Sequence, residues 1–220
     1  MSTHELPNRK DVKLEDTWDL EPIFSSDDTW EEAFIGVGND LDKVESLKGN
    51  ITNSAENLLS ALKFRDDLTY RLEHLYVYAH LRFDTDTTNA FYQGMNGKIM
   101  GLVSKFSAAM SFFDTEILEA NEKTVMGYLD SNEALGLYKH QFEILFKNRT
   151  HILSEKEERI LASLGEVFNT PSQVFGMINN ADVKFPEVTN EAGEKVALSH
   201  GRYGILMESK NRDVRKEAFL

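Results

Sequence analysis

Two apolar stripes separated by six short polar residues constrain this chain more than any other feature. In the first, Leu68, Leu72, Leu75, Ala79 and Phe83 recur at steps of three and four. In the second, Phe91, Met95, Ile99, Leu102, Phe106, Ala109, Phe113 and Ile117 do the same. That is the period of helices with one buried face. Between them lies Asp84-Thr85-Asp86-Thr87-Thr88-Asn89. Such side chains compete for backbone hydrogen bonds and favour turns and helix N-caps. A short break makes long helices antiparallel neighbours. The pattern predicts a helical hairpin over 66–118, its first helix starting near 55, with Leu72, Leu75, Phe106 and Phe113 buried. Gly94, Gly97 and Gly101 interrupt the second helix. Each costs about 1 kcal/mol relative to Ala, so a packing reason such as a tight crossing, or local mobility, is expected. Gln93, Asn96, Lys98 and Lys105 exclude a membrane helix pair.

The rest of the chain reads as further packed helices and one small β-hairpin. Residues 1–24 predict an extended arm that Trp18, Leu20, Ile23 and Phe24 pin to the body. Ser25 to Thr29 offers N-caps for a helix to about Ser46, with Trp30, Phe34, Val37, Leu41, Val44 and Leu47 on one side. Ser54 caps the next. A short helix opens at Asn121, and another after Asn132 carries Leu135, Tyr138, Phe142 and Leu145. Ser154 and Glu157 form a capping box for a helix whose expected buried face is Ile160, Leu161, Leu164, Val167 and Phe168. Thr170-Pro171 restarts a helix. Val183–Val188 and Glu194–Leu198 alternate with period two around Gly193, which predicts a β-hairpin with Pro186 at an edge. Ser199 or His200 caps a helix, and Asn211 a last one with Val214, Ala218 and Phe219 as its apolar side. The fold class is mainly α. The expected domains are an arm at 1–24, a helical lobe at 25–181, the hairpin at 182–198 and a further start at 199–220. Leu220 falls in mid-pattern without a stop signal, so the sequence reads as truncated.

Composition narrows the function. The 220 residues carry a formal charge of −13, which argues against nucleic acid. There is no cysteine, hence no disulfide and no thiolate site. No secretory signal or membrane-length apolar run occurs, and a cytoplasmic setting is expected.

The common catalytic and ligand-binding motifs are mostly absent from the sequence. No His-Glu-x-x-His, Walker loop, dinucleotide loop or Gly-x-Ser-x-Gly elbow is present. Asp84 to Thr88 begins like a calcium loop, but Asn89 replaces its Gly and Met95 its Glu. Tyr76, His80 and Asp84 share a helix face with Glu73 nearby. Two ligands from one helix do not close a metal site, and a hydrogen-bonded His near a helix C-terminus is the plainer expectation. His200-Gly201-Arg202-Tyr203-Gly204 would seat an anion at a helix start, or merely pack Tyr203 on the hairpin.

Several separate blocks together resemble a known family. They are Leu75-Tyr76-Val77-Tyr78-Ala79, Asn179-Asn180-Ala181-Asp182, Lys184-Phe185-Pro186, His200-Gly201-Arg202-Tyr203-Gly204, and Arg212-Asp213-Val214-Arg215-Lys216-Glu217-Ala218-Phe219. In order, they resemble the N-terminal part of oligoendopeptidase F, within the thimet-oligopeptidase-like zinc metallopeptidases. The resemblance implies a mostly helical, two-lobed cytoplasmic enzyme that cuts oligopeptides in an enclosed channel. Its zinc would lie on a downstream His-Glu-x-x-His helix, absent here. No catalytic or metal residue therefore carries over, and the substrate-binding residues stay unknown. The expected partners are the oligopeptide substrate and a missing C-terminal catalytic lobe, with no nucleic acid and no membrane. Residues 199–220 would begin the peptidase lobe. The alternative from another class is a stand-alone acidic helical adaptor that binds a partner protein.

Overall fold

A computed structural model describes residues 9–220. Part of the predicted arm, residues 1–8, lies outside the described residues. The described chain divides into two compact units, Asp19–Gln173 and Val174–Leu220, the latter grouped with residues up to Trp18.

The first unit opens with α1 (Asp27–Leu41), capped by Ser26, whose hydroxyl accepts from the Thr29 N–H at 3.2 Å. A 3₁₀ turn at Val44–Leu47 follows, so the predicted helix to Ser46 is broken into two pieces. α2 (Ala55–Thr85) runs unbroken for 31 residues from its Ser54 cap. Its inward residues Leu58, Leu62, Leu68, Leu75 and Ala79 have no exposed surface. Each such leucine stabilises the fold by about 1.5–3 kcal/mol. Asp86 and Asn89 make the turn: Asp86 Oδ1 accepts from the Thr88 N–H at 3.0 Å, and Asn89 Oδ1 from the Phe91 N–H at 3.0 Å. α3 (Ala90–Met110) then returns against α2.

Four expectations about this hairpin are corrected. The second helix stops at Met110 and resumes as α4 (Phe113–Glu119). Ser111 Oγ donates to the Ala108 carbonyl at 2.9 Å, and its N–H bonds that carbonyl as well, which tightens the turn. The break lets the adjacent Phe112 and Phe113 both be buried. Phe91 is 60% exposed, because the stripe only enters the core at Met95. Phe106 is half-buried rather than buried. The glycines do not mediate a close crossing: a Cβ built on Gly94, Gly97 or Gly101 meets nothing within 4 Å.

α5 (Glu122–Ser131), α6 (Glu133–Gly136) and α7 (Lys139–Lys147) complete this core with Val125, Leu129, Leu135, Phe142 and Phe146. The single helix expected after Asn132 is two, since Tyr138 closes a turn on the Leu135 carbonyl. α8 (Glu155–Ser163) and α9 (Gly165–Met177) follow. Pro171 lies inside α9 instead of starting a helix. Val167, whose carbonyl loses its usual partner there, is exposed to water. In the arm, Leu20 is buried and Ile23 and Phe24 pack on the core, but Trp18 is 87% exposed.

The second unit pairs β1 (Glu187–Thr189) with antiparallel β2 (Lys195–Ala197), Val188 opposite Val196. Gly193, at φ +80°, closes the turn. The strands are shorter than predicted. Residues 178–182 form a π turn, and Pro186 supplies only a carbonyl, to the Leu198 N–H at 3.0 Å. α10 (His200–Met207), capped by Ser199, and α11 (Arg212–Phe219), capped by Asn211, share a small core with the hairpin: Val188, Val196, Leu206, Val214 and Ala218. Phe219, expected inside, is exposed.

Burial sets the order of stability losses. Leu75→Ala should cost about 2–5 kcal/mol, and Phe113→Ala more than the half-buried Phe106→Ala. Denaturant melts of the three variants check this ranking.

Candidate functional site

The residues singled out from sequence are engaged locally. The Tyr76 ring stacks on His80, centroids 5.3 Å apart, and His80 Nε2 lies 3.5 Å from Asp84 Oδ2. Glu73 is exposed. Among the described residues no group of three or more His, Asp or Glu gathers to hold a metal ion. The polar turn 86–89 spends its side chains on its own backbone, as N-capping chemistry requires. At the start of α10, Arg202 Nη1 donates to the Ala197 carbonyl at 2.9 Å, and His200 Nε2 contacts Asn179 Oδ1 at 3.2 Å. Tyr203 is exposed rather than packed on the hairpin. A cleft in the same unit is lined by Asn190, Glu191, Ile205, Leu206 and Val214, and the Glu191 carboxylate is already engaged there. That carboxylate accepts from Ser209 Oγ at 2.6 Å and from the Lys210 N–H at 3.0 Å, which hold it below the usual carboxylate range.

The densest polar cluster joins the first three helices. Tyr78 is wholly buried, and its hydroxyl donates to Asp27 Oδ1 at 2.9 Å. Arg82 Nη2 donates to the Tyr78 oxygen at 2.9 Å, and its guanidinium lies over the Tyr78 and Tyr92 rings. The Tyr92 hydroxyl donates to Asp27 Oδ2 at 3.4 Å. Burial raises the pKa of both phenols. Asp27 also sits in the first turn of α1, where negative charge is favoured. The cluster is a clamp: it has two neutral phenols, one carboxylate and one permanent cation, and no free base or nucleophile. Sequence reasoning quoted Tyr78 only within a motif block and missed Asp27, Arg82 and Tyr92, whose partners lie far apart in the chain.

Two further clamps were invisible in sequence. The Glu116 carboxylate accepts from the Gly49 and Ile51 N–H groups, both at 2.8 Å, and fixes the turn where Gly49 holds φ +77°. The Tyr138 hydroxyl donates to Asp66 Oδ2 at 2.6 Å; burial, then that bond, pushes it up to about 12.

The strongest departure from expectation is on α8 and the first turns of α9. Ile160, Leu161, Leu164, Val167 and Phe168, expected to be buried, are 37–63% exposed. No helix among the described residues is long and apolar enough to cross a membrane.

Removing the Tyr78 hydroxyl leaves Asp27 and Arg82 short of a partner. Tyr78→Phe should cost about 1–3 kcal/mol, and a double-mutant cycle with Arg82→Ala in chemical denaturation should show coupling. A second expectation concerns Asp40. Its carboxylate is held low by the Lys43 ammonium at 2.6 Å and by Arg71 Nη1 at 2.8 Å. A depressed folded-state pKa contributes stability above the ordinary Asp value, lost as pH falls through the lowered one. Asp40→Asn should therefore be less stable than the parent by about 0.5 kcal/mol at neutral pH. The difference should close in acid, as thermal melts against pH would record.

The comparisons with known proteins agree with one another. A family model described as Oligopeptidase F matches residues 116–185. Oligopeptidase PepF of Bacillus subtilis (strain 168) is 42% identical over 216 residues, covering 98% of this chain and 32% of its own length. The chromosomal oligoendopeptidase F of Lactococcus lactis subsp. cremoris is 44% identical over 214 residues, covering 96% of this chain and 36% of its own. The crystal structure of oligoendopeptidase-F from Enterococcus faecium superposes with a TM-score of 0.78 at 38% identity, over 88% of this chain and 37% of that one. The chain spans about a third of the length of these relatives, and in sequence and in fold it matches the N-terminal part of the oligoendopeptidase F family.

Proposed function

We propose that these 220 residues are the non-catalytic N-terminal portion of a cytoplasmic zinc oligopeptidase that cleaves short peptides in an enclosed channel. One observation carries the reading: the match runs along nearly all of this chain yet fills only a third of each relative. In this reading residues 25–181 form the helical lobe, 182–198 the hairpin and 199–220 the first turns of the peptidase lobe. The lobe walls one side of the channel and keeps folded proteins out.

The chain's own donors do not fit a zinc site. Its six His include no pair at i and i+4. Zinc needs three or four convergent donors. No reaction step is therefore assigned to these residues, and their part is to shape the space in which a peptide is held.

Metal analysis of the purified chain should find less than stoichiometric zinc, and the chain alone should not cut peptides. Joined to the C-terminal remainder of a relative, it should support chelator-sensitive cleavage of short peptides. A reading frame continuing past codon 220 without His-Glu-x-x-His, or peptide cleavage by the metal-free chain alone, would overturn the assignment.

A further inference from the structure

Helix α8 and the start of α9 are packed the wrong way round for an amphipathic helix. Positions 155, 158, 162, 165 and 169 recur at steps of three and four and so share one face. Glu155, Glu158, Ala162 and Asn169 on that face are half-buried, and α8 lies along α3. A Cβ on Gly165 would meet Ser104 Oγ of α3 at 3.9 Å, which fixes the direction of this face. Its members are held by polar contacts: Glu155 pairs with Lys48, and Glu158 Oε1 accepts from the Leu153 N–H at 3.1 Å. The apolar stripe Ile160, Leu161, Leu164, Val167 and Phe168 is left facing water. An isolated helical unit would bury that stripe and wet the glutamates. A contiguous apolar patch in place of a polar face marks an interaction surface.

The stripe's chemistry restricts its occupant. It carries no charge and no hydrogen-bonding side chain, so it does not suit a small polar ligand. Its spacing of one, three and four residues over two turns is what a packed protein interior presents. The relatives continue for about twice the matched length again, and the family match at 116–185 contains the whole stripe. We propose that this face is the seat of the C-terminal portion those relatives carry. The proposal rests on the reading of this chain as the N-terminal part of such a peptidase.

The chain has no cysteine, which makes single-thiol labelling clean. Leu161→Cys, Leu164→Cys and Phe168→Cys are placed on the stripe, with Leu137→Cys, at a position 86% exposed, as control. In the isolated chain all four should label alike. In a chimera of this chain with the C-terminal remainder of the Bacillus subtilis relative, the three stripe thiols should slow by about tenfold or more while the control keeps its rate. Equal rates in a folded chimera would overturn the proposal. Slow stripe thiols in a chimera that cuts no peptide would uphold the seat and count against the peptidase reading. Fast ones in an active chimera would do the reverse. The isolated chain gives a reading that needs no chimera. Slow labelling there, or a lowered Tm for Leu164→Asp, would mean that the stripe is already packed, and would refute the idea.

Discussion

The first unit depends on keeping α2 covered along its whole length. An isolated helix of 31 residues gains little stability in water from propensity alone. α2 is held instead from two sides. Trp30 of α1, fully buried, donates its indole N–H to the Leu75 carbonyl at 2.9 Å, and α3 packs back along the same helix. Drawing a helix carbonyl into a second bond commits α1 to one height on α2. The Asp27, Tyr78, Arg82 and Tyr92 cluster repeats that constraint near the turn, where all three helices meet. Apolar burial supplies most of the stability, and these directional bonds select one register from many greasy alternatives.

The surplus of acid is put to structural use. With a formal charge of −13, self-repulsion opposes a compact state. Several carboxylates are placed where local donors bond them. Glu116 takes two backbone N–H groups, Glu157 takes the N–H and hydroxyl of Ser154, and Glu217 links Thr189 and Lys195. The donors of Glu157 and Glu217 hold those carboxyls below their ordinary pKa. An acidic surface of this kind needs no basic ligand to explain it.

The helix starts that carry a side-chain cap were legible because each is a local event. Ser26, Ser54, Asn89, Asn121, Asn132, Ser199 and Asn211 each bond an N–H two or three residues on, within reach of a sequence window. The apolar period likewise located Leu68, Leu75, Ile99 and Val125 in the core. What escaped depends on distant partners. Nothing near Glu116 announces Gly49, and nothing near Asp27 announces Tyr92. Periodicity also says that a helix has an apolar face, never what will cover it. The stripe of α8 shows the limit: the period was read correctly, and the burial inferred from it was not there. For the candidate site, sequence resemblance carried more than motif search, because the motifs of this chain cap helices and close turns.

The second unit makes the same point from energetics. Among the described residues from Val174 to Leu220 its buried core has five side chains, and none is larger than leucine. Below about 70–80 residues a single core rarely supplies more than about 3–5 kcal/mol. A disulfide is absent, and Phe175, Ile205 and Phe219 point into water. The hairpin and the last two helices are well formed locally, with both helices capped by short polar residues and the Gly193 turn closed. Local signals thus specify these elements, and only a small shared core backs them with apolar burial.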